Sequence, residues 1–177
     1  MRIIGGKLRG IRLHPPNNLP VRPTTDLAKE ALFNILYGYL DINTTECLDL
    51  CCGTGSISLE LASRGALSID AIDLSPKCLA YLNEVRNKFD LTNIHTRRSD
   101  IFKFINSSTK QYDFIFTDPP YDLEGLPQLP QQIFERQLLK EGGLLVVEHP
   151  STRKMVEHPN FVELRKYGYS SFSFYQN

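Results

Sequence analysis

From residue 47 onward the chain alternates strand-sized apolar runs with helix-length amphipathic segments, and this alternation restricts the fold more than any other feature. Strands are predicted at Cys47–Cys51, Ser68–Ile72, Ile94–Arg97, Tyr112–Thr117 and Leu144–Glu148. Helices are predicted over Ile57–Ser63, from the Ser75-Pro76 cap to Lys88, over Ile101–Ile105, and over Leu129–Leu139 with a stop at Gly142-Gly143. A short helix near Thr152–His158 and an antiparallel pair, Phe161–Tyr167 with Ser171–Tyr175, close the pattern. Such a chain predicts an α/β fold, a mostly parallel seven-stranded sheet with helices on both faces. Right-handed crossovers then place the first and fourth strands side by side where the winding reverses, so the loops after Cys51 and Thr117 face one crevice.

Those two loops carry the chemistry. The first reads Asp49-Leu50-Cys51-Cys52-Gly53-Thr54-Gly55-Ser56, with two glycines that let the chain turn tightly beside a helix N-terminus. Ser58 stands where a dinucleotide fingerprint has its third glycine. Asp49 would repel a pyrophosphate and suits the ammonium of an amino-acid ligand. Asp73, with Leu74 beside it, ends the second strand 20 residues after Gly53, where an acid can bind ribose hydroxyls. Asp100 ends the third strand and can accept from an adenine amine, with Ile101 against the ring; an N-cap role for Asp100 is equally open. Together Asp49, Gly53, Thr54, Gly55, Asp73, Leu74, Asp100 and Ile101 describe a site for S-adenosylmethionine rather than a nicotinamide dinucleotide.

The second loop is Asp118-Pro119-Pro120-Tyr121. An exocyclic base nitrogen is a poor nucleophile because its lone pair is delocalised into the ring. The Asp118 carboxylate and Pro119 carbonyl are acceptors that draw the amine hydrogens and free that lone pair. Pro119 and Pro120 lock the backbone, and Tyr121 offers a face on which a base can stack. Taken alone, the four residues also read as a rigid loop with an N-capping Asp.

Charge is distributed unevenly. Arg2, Lys7, Arg9, Arg12 and Arg22 all precede Asp26, the first acidic residue, while the whole chain has net charge zero. A basic arm on an acidic body points to an anionic partner held by the N-terminus. Residues 2–13 predict a hairpin turning at Gly5-Gly6, so residues 1–22 are expected to form an arm and linker, and 23–177 the main domain. A helix follows, capped by Thr24 or Thr25, with Leu27, Ala28, Ala31, Leu32, Ile35, Leu36 and Tyr39 as its apolar stripe. No run is long enough for a membrane helix, and no secretory leader opens the chain. Cys47, Cys51, Cys52 and Cys78 lack metal or disulfide spacing and are read as reduced thiols in a cytoplasmic protein; no metal is expected.

Several segments resemble the RsmD family of 16S rRNA guanine-N2 methyltransferases across almost the whole chain: Arg2-Ile3-Ile4-Gly5-Gly6 with Arg9-Gly10, Val21-Arg22-Pro23-Thr24-Thr25-Asp26, Glu30 to Leu36, Gly53-Thr54-Gly55, Glu60, Ser63 to Ala66, and the tetrapeptide at 118–121. The resemblance implies a class I, Rossmann-like methyltransferase fold with a short N-terminal β-hairpin extension. It further implies methylation of one guanine N2 in 16S rRNA, within a small-subunit particle, by a monomer that holds RNA through Arg2, Lys7, Arg9, Arg12, Arg22 and Thr24. Leu27 replaces a basic residue common in the family, leaving Lys29 as the cation nearby, so fewer phosphate contacts are expected from that helix. The alternatives are a DNA adenine-N6 methyltransferase, which shares the tetrapeptide chemistry, and a non-catalytic RNA-binding assembly factor on the same scaffold.

Overall fold

The computed structural model describes residues 1–19 and 24–177. Its strands are β1 (Glu46–Leu50), β2 (Ser68–Asp73), β3 (Ile94–Arg98), β4 (Tyr112–Thr117), β5 (Leu139–Pro150), β6 (Phe161–Tyr167) and β7 (Ser170–Gln176). The α-helices are α1 (Asp26–Leu36), α2 (Ser56–Ser63), α3 (Pro76–Lys88), α4 (Ile101–Ser107) and α5 (Leu129–Glu135). One sheet holds all seven strands in the order β3-β2-β1-β4-β5-β7-β6, with β7 antiparallel to both neighbours and the rest parallel. As the alternation predicts, β1 pairs with β4, Cys47 opposite Phe114 through Leu50 opposite Thr117. Period-two alternation in these strands sends Cys47 to one core and Leu48 to the other. The first core takes α1, α2 and α3; the second takes α4 and α5.

Local signals set most helix ends. Thr25, rather than Thr24, caps α1 by accepting from the Ala28 amide at 3.2 Å. Ser75 caps α3 by accepting from the Cys78 amide, with Pro76 at its first position. The buried face of α1 is Ala28, Lys29, Leu32, Phe33 and Leu36; Leu27 is 74% exposed and leaves the expected stripe.

Two predicted helical stretches are corrected. α5 stops at Glu135, well short of Gly142-Gly143. Gln137 adopts a left-handed φ of 52°, while the Leu138 amide reaches Ile133 O at 3.2 Å and the Gln137 amide reaches Phe134 O at 2.9 Å. This is a Schellman end built without glycine. The two glycines instead lie inside β5, where the register against β4 shifts between Tyr112 and Phe114. Residues 152–158 form no helix. The Arg153 amide closes a local turn on Pro150 O at 2.8 Å, and the Val156 amide leaves the segment for Pro127 O at 3.2 Å.

The N-terminal arm is a hairpin only in outline. Arg2 and Arg12 form a single antiparallel bridge, and the turn is a 3₁₀ segment over Gly6–Leu8. Ile3 and Leu13 are buried in the first core, so the arm is packed onto the body. Glu60, fully buried on α2, fastens it by accepting from the Ile4 amide at 2.8 Å and the Gly5 amide at 2.7 Å. The same carboxylate pairs with Arg64 at 2.7 Å and Lys29 at 3.7 Å. Lys29 is therefore a buried structural cation rather than a phosphate ligand, donating to Arg2 O at 2.6 Å and Ser56 Oγ at 3.2 Å. Burial pushes its pKa down and Glu60 opposes that shift. Replacing Glu60 with Ala strands a buried lysine and two backbone amides. The expected loss of unfolding free energy in urea titrations is about 3–5 kcal/mol. Replacing Arg2, whose pair with Asp26 is half exposed, is expected to change it by about 0–1 kcal/mol.

Candidate functional site

A crevice of about 920 Å³ opens at the carboxyl ends of β1, β2, β4 and β5, bordered by the first turn of α1 and the β6–β7 turn. The β1–α2 loop enters it through three left-handed positions, Cys51 (φ 60°), Gly53 (φ 53°) and Gly55 (φ 82°). A side chain on Gly55 would also collide with Leu82, so this glycine lets α2 approach α3 as much as it shapes a ligand cradle. Gly53, Thr54, Leu74 and Ile101 line the crevice, together with Cys51, Cys52 and Ile72; Gly55 is not among its lining residues.

The predicted acids are all at the crevice, and the donors to Asp49, Asp73 and Asp100 are local protein groups. Asp49 is buried and takes both the Ser58 amide (3.0 Å) and the Ser58 hydroxyl (2.6 Å) on one oxygen. Ser58, which breaks the dinucleotide fingerprint, is thus the partner that makes a buried acid tolerable there. Burial nevertheless raises the Asp49 pKa to about 7, against the lowering effect of Ser58. Asp73 accepts from the Gly53 amide on one oxygen and the Ser75 amide on the other, each at 2.8 Å. It ties the β1 and β2 loops together, and its remaining lone pairs are what a ribose would use. Asp100 is the N-cap of α4, accepting from Phe102 N and Lys103 N at 3.0 Å. Both readings of Asp100 thus meet in one residue, since it caps the helix and lines the crevice.

Across the crevice, Asp118 follows β4 directly, its amide 3.4 Å from Leu50 O on β1. The next helical segment begins only at Leu126, with Gly125 at its cap, so Asp118 does not serve as an N-cap. Pro119 is buried and Pro120 exposed. The Tyr121 hydroxyl shares a hydrogen bond of 2.6 Å with Ser170 Oγ, which fixes the ring against the β6–β7 turn.

Two features of this wall escape a reading of the sequence. Glu148, buried at the end of β5, lines the crevice beside Asp118. Its signal was available, since it ends Leu144–Val147 as Asp118 ends Phe114–Thr117. The β6–β7 turn, Tyr167 to Ser170, also borders the crevice, and only the sheet order brings it there. Thr24, expected on the RNA side, lies in the crevice and donates to Glu148 Oε2 at 3.1 Å. Lys7, Arg9 and Arg12 are exposed on the arm, Arg2 pairs with Asp26, and Arg22 lies outside the described residues.

Among the described lining residues are the carboxylates of Asp49, Asp73, Asp100, Asp118 and Glu148, and no lysine, arginine or histidine. Such a wall attracts a cation and repels a pyrophosphate. The four cysteines are free; burial raises the pKa of each and keeps it protonated, so none is an activated nucleophile. Among the described residues no cluster could hold a metal ion, and no helix is long and apolar enough to cross a membrane.

A family described as conserved hypothetical protein 95 matches residues 1–176. The chain belongs to this family. It is 32% identical over 167 residues to the ribosomal RNA small subunit methyltransferase D of Buchnera aphidicola (subsp. Baizongia pistaciae), covering 94% of this chain and 85% of that protein. Its identity to the protein of the same name from Haemophilus influenzae is 30% over 186 residues, covering 100% and 94%. The solved structure of yhhF from Escherichia coli superposes with a TM-score of 0.88 at 28% identity, over 99% of this chain and 97% of that one. The family likeness thus includes the arm as well as the sheet.

The buried Asp49 gives a pH test. Unfolded, it ionises near pH 4; folded, it keeps its proton to about pH 7. Between these values the native state binds the extra proton, so the stabilisation falls as pH rises through the window and is lost above about pH 7. Relative to an Asp49→Asn variant, the wild-type unfolding free energy is expected to decline from pH 4 to 7 and run parallel above. Urea titrations across that range check it.

Proposed function

We propose that the protein transfers a methyl group from S-adenosylmethionine to the exocyclic N2 of one guanine in 16S rRNA, within a small-subunit particle. The observation that carries this reading is the crevice wall of carboxylates with no basic side chain among the described residues, at the switch point between β1 and β4. It supports a ligand bearing a sulfonium and an ammonium, and membership in a family with ribosomal RNA methyltransferases supports the reaction class. Asp49 would face the amino-acid end, Gly53, Thr54 and Gly55 the chain between, Asp73 and Leu74 the ribose, and Asp100 and Ile101 the adenine. When bound, the cofactor supplies an electrophilic methyl on a positively charged sulfur.

The chain's own contribution is position and a low-water site, because the transition state only shifts the sulfonium's existing positive charge toward the amine and creates no new charge. Asp118 and the Pro119 carbonyl accept hydrogen bonds from the two N2 hydrogens and turn the lone pair toward the methyl. Tyr121 stacks on a guanine turned out of its surroundings, and Ser170 holds the ring edge. The alkylated amine then loses a proton to Asp118 or to water. Lys7, Arg9 and Arg12 hold phosphates from an arm kept rigid by Glu60.

Asp118→Ala is expected to abolish methyl incorporation into undermethylated particles while the Kd for S-adenosylmethionine stays within about threefold. A comparable loss of cofactor affinity would contradict its role. Replacing Arg9 and Arg12 with Ala is expected to weaken RNA binding and lower the salt slope of log K by about two. An unchanged slope would remove the arm from the RNA contact.

A further inference from the structure

The tetrapeptide does not by itself separate guanine from adenine, because both carry an exocyclic amine whose hydrogens Asp118 can accept. We infer that Glu148 makes that separation by accepting the N1–H of the target guanine. This rests on the guanine-N2 reading above and deepens it.

Thr117 and Val147 are paired in the parallel β4–β5 register. Asp118, just after β4, and Glu148, on β5, are therefore the next residues along two adjacent chains of the sheet, and both line the crevice. Glu148 is only 3% exposed. A carboxylate is seldom buried without a task, since desolvation of its charge is costly. Thr24 Oγ1 donates to its Oε2 at 3.1 Å, which fixes the carboxylate in one orientation. A carboxylate offers about four lone-pair directions, so this bond is compatible with accepting from a base as well.

On the Watson–Crick edge of guanine, N1–H and N2–H₂ are adjacent donors. Two neighbouring strand-end carboxylates match that pair, Asp118 on N2 and Glu148 on N1. Adenine presents its amine beside a bare N1 lone pair. With Asp118 on that amine, Glu148 would meet the lone pair and repel it. Rejection by an unpaired or opposed polar group is stronger than rejection by shape alone. Thr24 is then a positioning residue for Glu148, which explains why it sits in the crevice and not on the phosphate side.

The test uses full-length protein, S-adenosylmethionine and small-subunit particles. The target nucleotide, once mapped, carries either guanine or 2-aminopurine, introduced by ligation. 2-Aminopurine keeps the N2 amine but has a lone pair at N1. Wild-type protein is expected to prefer guanine by about 10- to 100-fold in kcat/KM, the range one aligned base contact gives. Glu148→Gln can donate its amide to N1, so the preference is expected to shrink to within about threefold or invert, with cofactor Kd and thermal midpoint near wild type. Should that variant fail to fold, Thr24→Val, which keeps the carboxylate but frees its orientation, is expected to lower the preference in the same direction. An unchanged preference in the folded variants would overturn the role of Glu148. A wild-type protein that makes no N2-methylguanosine would overturn the functional reading itself, a separate outcome visible before any variant is compared.

Discussion

Parallel pairing of β1 with β4 is the constraint on which the site depends. It is the point at which the sheet's winding reverses, and no loop could bring residue 53 and residue 118 together without it. The β1 turn contributes left-handed positions and the β4 turn contributes two prolines, so both walls of the crevice have stiff backbones. Strand β5 extends the same edge and adds Glu148, and antiparallel β7 delivers the turn that holds Tyr121. The β1–β4 register thus sets the centre of the site, and the neighbouring pairings add its remaining walls.

Charge is segregated on the same frame. Carboxylates gather inside the crevice, where burial leaves Asp49 with a pKa of about 7. Exposed cations gather on the arm, whose position is set by the buried Glu60, Lys29 and Arg64 group. Lys29 belongs to both regions, since it bonds the arm at Arg2 O and the crevice-lining Ser56. A cationic ligand entering among carboxylates favours their ionised forms.

The β1–β4 contact and the place of the tetrapeptide were legible because they follow from alternation and crossover handedness, which are local patterns plus one topological rule. What was not legible depends on tertiary partners. Glu60 and Lys29 look like surface charges in a helix and prove to be buried because they find each other. Gly142-Gly143 looks like a helix stop and is a bulge within a 12-residue strand, because α5 ends on Gln137 instead. Residues 152–158 have helical composition, but the Val156 amide is taken by Pro127 O on another segment. Asp49, Asp73 and Asp100 were found as acids at strand ends. Their roles in holding Ser58, Gly53 and the α4 cap were visible only for Asp100, whose cap is local.

The most direct test is mass mapping of methylated nucleotides in 16S rRNA from cells with and without the gene. The account predicts that one guanosine loses its N2-methyl group in the deletion and regains it when the gene is restored, and not when the restored copy carries Asp118→Ala. An unchanged set of methylated guanosines, or the loss of an N6-methyladenosine in its place, would contradict it.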